Sequence, residues 1–141
     1  MNKCVLFCLA LLLIIPVAGF AQDSAAVALN EYIEELNEQC PIGIENKDDW
    51  PINSFTMVED RYALVDISLP PNLSMVLAPL TADNDNARQL WIKQLKQYGK
   101  RWDRFVELLV AADRRLILNL CPGDPRSSAL VTLQPSDFKK K

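Results

Sequence analysis

An apolar run from Cys4 through Ile15, closed by Pro16 and followed by small residues at Gly19 and Ala21, sets the start of this chain apart from any fold. With Lys3 as the positive charge ahead of it, the run has the order of an export leader, and cleavage is expected between Ala21 and Gln22. Residues 1–21 are therefore read as a signal peptide and residues 22–141 as one domain of about 120 residues. A retained anchor is the competing reading, but the run is shorter than the about 20 apolar residues that a spanning helix needs. Cys8 follows Val5, Leu6 and Phe7, whereas a lipid-modified cysteine requires a small residue beside it, so Cys4 and Cys8 are expected to leave with the leader. The expected location is periplasmic or secreted, with no transmembrane segment after cleavage.

Processing would leave Cys40 and Cys121. Beyond the cytosol, two cysteines in one small domain pair most simply with each other, and closing so long a loop would restrict the unfolded chain by about 4–5 kcal/mol. The alternative is two thiols packed among the apolar residues that flank them. A redox pair is disfavoured because there is no Cys-x-x-Cys.

The formal net charge is −3 and falls by one more when Lys3 is lost, which disfavours nonspecific binding to nucleic acid. The charge is uneven along the chain. Residues 23–60 are acidic, with Glu31, Glu34, Glu35, Glu38, Asp48 and Asp49 among others against Lys47 alone. Residues 88–115 are basic, and folded together the two halves would attract.

Residues Ser24 to Gln39 carry Ala25, Leu29, Ile33 and Leu36 at helical spacing, and Pro41 prevents continuation past Cys40. Ile42 to Glu45 is read as a short strand and Asn46 to Asp49 as a polar turn. Ser54 to Glu59 and Arg61 to Leu69 form a predicted hairpin. In its second strand Ala63, Val65, Ile67 and Leu69 share one face. Asn72 to Thr81 shows no clean period. Asp83 or Asp85 is expected to cap a second helix running to about Tyr98, with Gly99 closing it. A third follows from about Arg101 to Ala112, with Trp102, Phe105, Leu108, Leu109 and Ala112 on its apolar side. Two more strands, Arg115 to Leu120 and Ala129 to Gln134, flank a Pro-Gly-Asp-Pro turn at residues 122–125, and Lys139, Lys140 and Lys141 read as a solvated tail. Without βαβ alternation, the expected fold is α+β: an antiparallel sheet of about four or five strands packed against an N-terminal helix and a central helix pair.

The chain has no histidine, so Ser-His-Asp and Cys-His catalysis are excluded and the commonest metal ligand is missing. Gly43, Gly99 and Gly123 are isolated and make no phosphate loop. Ser136 to Lys139 spells Ser-x-x-Lys, but at the very end of the chain rather than at a buried helix start. The Asn46 to Asp49 run lacks the alternation of a calcium loop. No catalytic residue, metal or cofactor is expected. A glycoside hydrolase needs two carboxylates facing one cleft, and Glu34, Glu38, Asp48, Asp49, Asp66 and Asp85 keep a carboxylate-dependent hydrolase of envelope glycans open as an alternative to plain solvated acids; Asp66 stands out because it interrupts an apolar strand. Lys93, Lys96, Lys100, Arg101 and Arg104 form a candidate anion-binding face, set against the plainer reading of a solvated helix back or a partner for the acidic first helix.

The run Leu36, Asn37, Glu38, Gln39, Cys40, Pro41, Ile42, and then the hairpin ending in Leu64, Val65, Asp66 and Ile67, resembles a group of small exported proteins from Bacteroides-type bacteria. The helix ending at Leu108 to Asp113, the strand Leu116 to Leu120, and Ala129 to Leu133 leading into Pro135 to Phe138 are similar to that group as well. The resemblance implies an α+β fold and an envelope location; it carries over no activity or functional residue, and Cys121 has no counterpart in it. The expected function is that of an exported, non-enzymatic domain binding an envelope or extracellular protein or surface component.

Overall fold

The computed structural model describes residues 17–43, 50–70, 81–121 and 128–139. The apolar leader run, the Asn46 to Asp49 turn, most of the Asn72 to Thr81 stretch, the Pro-Gly-Asp-Pro turn and the last two lysines lie outside the described residues. Helix α1 spans Val17–Gln39, so its backbone is already helical across the expected cleavage position. Its inward stripe is Ala26, Leu29, Ile33 and Leu36, with Ala25 only half-buried beside them. The helix stops because the residue before Pro41 is sterically barred from helical geometry.

Strand β1 (Ile52–Val58) pairs antiparallel with β2 (Tyr62–Ser68). The register slips by one residue between Ile52 and Ser54. That bulge turns both Ile52 and Phe55 onto the core side, which strict alternation would forbid. Ile42 bridges Ile52 at the start of the expected Ile42 to Glu45 strand, the second half of which lies outside the described residues. Helix α2 (Asp85–Leu95) starts at Asn84, whose side-chain oxygen accepts from the Ala87 N–H. Neither neighbouring aspartate is the cap. The final turn expected of α2 is a separate 3₁₀ turn, Lys96–Tyr98, and Gly99 at φ 78° redirects the chain into α3 (Lys100–Ala111). Strands β3 (Arg115–Cys121) and β4 (Ala129–Leu133) follow, and a 3₁₀ turn, Pro135–Lys139, ends the described chain.

The sheet order is β1-β2-β3-β4, with antiparallel pairs at both ends and a parallel pair, β2 with β3, at the centre. The fold is α+β as expected, but its sheet is mixed: α2 and α3 form a crossover that returns the chain to the end where β2 began, and a crossover makes neighbours parallel. The three described helices lie against one face. There Ala63, Val65, Ile67, Leu116, Leu118, Leu120, Val131 and Leu133 meet Leu29, Ile33, Leu36, Trp91, Leu95, Phe105 and Leu109 in one cluster. Each such aliphatic side chain, once removed from water, contributes about 1.5–3 kcal/mol before entropy is counted. The opposite face is half-open, with Leu64, Asp66, Ile117 and Asn119 half-buried and Leu130 exposed.

Helix α3 ends in a Schellman arrangement: Asp113 N–H donates to Val110 C=O at 3.0 Å and Arg114 N–H to Leu109 C=O at 3.1 Å. That geometry puts Asp113 at φ 55°, where a Cβ is a burden. Asp113 is exposed, so Asp113→Gly is expected to stabilise the fold by about 0.5–1 kcal/mol, read as a rise in thermal midpoint. An unchanged or lower midpoint would contradict this account of the turn.

Candidate functional site

Helix α3 buries Trp102, Phe105, Leu108 and Leu109. Trp102, Val106 and Val110 also make a second apolar row one turn apart, and Val106 and Val110 are only half-buried. Together with Ile92 of α2 and Phe138 of the C-terminal turn they line a groove of about 430 Å³, with Lys96, Asp103, Glu107 and Lys139 around it. Arg104 Nη1 lies 3.2 Å from Glu107 Oε2. Among the described residues neither Lys96 nor Lys139 has a carboxylate within the 4.0 Å of an ion pair.

The wall that Phe138 supplies is held by Asp137, which is 4 % exposed. Its Oδ2 accepts from the Gln134 N–H at 2.8 Å, and its Oδ1 lies 3.6 Å from Arg88 Nε. Gln89 Nε2 donates to the Asp137 carbonyl at 3.1 Å, so α2 grips the turn at two points. Arg88 is itself oriented by Asp83 at 2.7 Å. The Ser136 to Lys139 tetrad is thus part of a packed terminal turn, with Ser136 and Lys139 exposed.

The five residues of the candidate anion face are divided. Arg101 Nη1 donates to Gln39 Oε1 at 2.8 Å, and Tyr32 Oη donates to the Arg101 carbonyl at 3.3 Å, which places Arg101 against α1. Burial pushes the Tyr32 phenol above its usual range, with Glu35 adding to the effect and Arg101 and Arg104 opposing it; Arg104 therefore stands on the same side. Lys96 belongs to the groove, and Lys93 and Lys100 are exposed. The break at Gly99 is what parts them. Helices α1 and α3 pack together, while an ion pair between the acidic and basic segments stands elsewhere, Arg114 Nη2 with Asp60 Oδ2 at 3.3 Å.

Asp66 lies on the half-open sheet face and ties three strands together. Ser54 Oγ donates to its Oδ2 and Asn119 Nδ2 to its Oδ1, each at 2.7 Å. Glu38 is exposed on α1, which covers the other face, so the structure does not bring these two acids to one cleft. Asp103 and Glu107 stand one turn apart on the groove wall, and both are exposed.

Cys40 and Cys121 are both free thiols, and the expected bridge is not formed. Ile42, Ile52, Ile67 and Leu120 are successive neighbours across the sheet, so three strand spacings, about 14 Å, separate the segment after Cys40 from the strand of Cys121. A disulfide needs Cα atoms within about 7 Å. Their surroundings differ too: Cys40 packs against the core near Arg101, while Cys121 follows buried Leu120 and so turns to the face of Asp66. Burial raises both thiols above the ordinary thiol range, with Arg101 opposing this at Cys40 and Asp66 reinforcing it at Cys121. Because the thiolate is the nucleophile, native protein is expected to alkylate slowly at neutral pH and faster as the pH is raised beyond the ordinary thiol range. Two alkylated cysteines after unfolding without reductant would accord with the free thiols; none would restore the bridge.

Among the described residues no helix is long and apolar enough to cross a membrane, and no cluster of three potential metal ligands occurs. No family model matches the sequence, and no curated protein does, so the likeness to Bacteroides-type exported proteins gains no support from relatives. A crystal structure from Pseudomonas aeruginosa, described as that of a "putative secreted protein", matches with a TM-score of 0.53 at 12% identity, covering 84% of this chain and 96% of that one. At that identity the likeness is one of fold.

Proposed function

We propose that this protein is an exported, non-catalytic binding domain whose contact surface is the groove between α2, α3 and the C-terminal turn. The observation that carries the reading is the second apolar row of α3. Val106 and Val110 add apolar surface that the core does not need, and with Ile92 and Phe138 they leave a concave apolar floor half open to water. Concave, mainly apolar sites with a few polar groups are the usual form of small-ligand pockets. Export is supported by the leader pattern and by the fold shared with a protein described as secreted.

The neutral fluorophore N-phenyl-1-naphthylamine tests the surface. Its emission is expected to rise on mixing with the native protein, with one molecule bound per chain, and to fall back in Val110→Glu at unchanged thermal midpoint. No enhancement, or the same enhancement in the variant, would refute the groove as a binding surface. Turnover of envelope glycans that survives repurification and is lost in Asp66→Asn, Glu38→Gln or Asp103→Asn would replace the binding reading with the hydrolase. Export is checked by the mass of protein recovered from the periplasm or medium, which is expected to begin at Gln22; an intact leader would overturn it.

A further inference from the structure

We infer that the groove takes a single-chain amphiphile with a carboxylate head, a long-chain fatty acid, with its alkyl chain on Ile92, Val106, Val110 and Phe138 and its carboxylate at Lys96 and Lys139. The inference rests on the binding reading above and adds the ligand class to it. The groove's size, about 430 Å³, falls within the roughly 300–1,000 Å³ of small-molecule sites. A protein partner would instead require an interface of about 800 Å² on each side. Half-buried aliphatic and phenyl side chains offer no hydrogen bond, so the body of the ligand is hydrocarbon.

The charges around the floor select the head group. Glu107 already has a partner in Arg104, whereas the ammonium groups of Lys96 and Lys139 have no carboxylate partner among the described residues. Asp103, the other acid on the wall, has no ion pair among the described residues either, so the unpaired charges at the groove are two ammoniums against one carboxylate, a net positive charge. An anionic head would complete two ion pairs there, and a cationic head would leave both ammoniums facing like charge. Lys96 comes from the 3₁₀ turn after α2 and Lys139 from the C-terminal turn, and both are exposed. A carboxylate can therefore be held while its chain lies along α3.

The test is a titration of the full exported protein, followed by tryptophan emission, with octanoate, decanoate and laurate below their micellar concentrations. Affinity is expected to rise with each added methylene, by up to about fourfold at full burial. Lys96→Gln/Lys139→Gln, which alters only exposed side chains, is expected to weaken laurate at least tenfold and to leave N-phenyl-1-naphthylamine binding intact. Dodecyltrimethylammonium is expected to bind at least tenfold more weakly than laurate. Equal laurate affinity in the double variant, equal affinity for the cationic amphiphile, or preference for a lysophospholipid over laurate would each overturn the assignment. If the neutral fluorophore binds and laurate does not, the ligand class is wrong and the groove stands. If neither binds, the binding reading fails with it.

Discussion

Phe105→Ala is expected to lower the unfolding free energy by about 3–5 kcal/mol, a large part of the 5–15 kcal/mol that a domain of this size has in total. Phe105 is fully buried on α3. Its ring meets Phe55 of β1 edge-on at 5.1 Å and 71°, and Trp102 at 5.2 Å, so one side chain joins the central helix pair to the outer strand of the sheet. Truncation would forfeit its transfer energy and both ring contacts, and would leave a cavity among fully buried neighbours such as Leu29 and Leu109, which have little freedom to refill it. The measurement is urea unfolding. The midpoint is expected to fall with the slope unchanged, as befits a native-state loss. A loss of under about 1 kcal/mol would mean that α3 does not pack on β1 as described.

Asn37→Ala is expected to cost about 2–3 kcal/mol and to make the protein associate with itself. The Asn37 side chain behaves as a detached piece of strand: its Oδ1 accepts from the Phe55 N–H at 2.8 Å and its Nδ2 donates to the Phe55 carbonyl at 2.7 Å. With the Ile42 bridge at Ile52, it occupies much of the outer edge of β1. Alanine would leave a part-buried donor and acceptor of the main chain unpaired, and such groups cost more than the bonds themselves contribute. It would also bare a strand edge that another chain can extend. Asn37→Asp keeps the acceptor but sets a carboxylate oxygen against the Phe55 carbonyl, and is expected to destabilise as well. Unfolding curves read the first effect, and concentration-dependent light scattering reads the second. A variant as stable and as monomeric as the parent would remove Asn37 from this role.

The elements were largely legible because local rules govern them. The end of α1 at Gln39 follows from Pro41, and the buried side of α3 follows from the spacing of Trp102, Phe105, Leu108, Leu109 and Ala112. The early start of β1 was not legible, because the bulge at Asn53 breaks the alternation that identifies a strand. Nor was the direction of β3 against β2, since periodicity records which residues face the core and is silent on which way a distant strand runs. The separation of Cys40 from Cys121 belongs to the same class: it depends on the order of strands across the sheet, which no pair of sulfur positions encodes. The groove left one sign in the sequence. Val106 and Val110 stand off the stripe formed by Phe105, Leu109 and Ala112, and an apolar arc wider than one buried face needs is what a helix with a second contact surface shows. Lys93, Lys96, Lys100, Arg101 and Arg104 follow one another at helical spacing, but spacing does not record that Gly99 turns the chain between them.

The parallel seam at the middle of the sheet has a temporal consequence. A chain delivered amino end first can close its opening hairpin at once, yet β2 keeps one side bare until β3, ending at Cys121, has arrived. The final hairpin is equally local, so the slow event in assembly should be the joining of two ready-made halves, with the helix pair as the span that must be drawn in between. A chain stalled before Arg115 would have no partner to offer β2, and would stay open to attack by proteases or capture by neighbours until synthesis resumed.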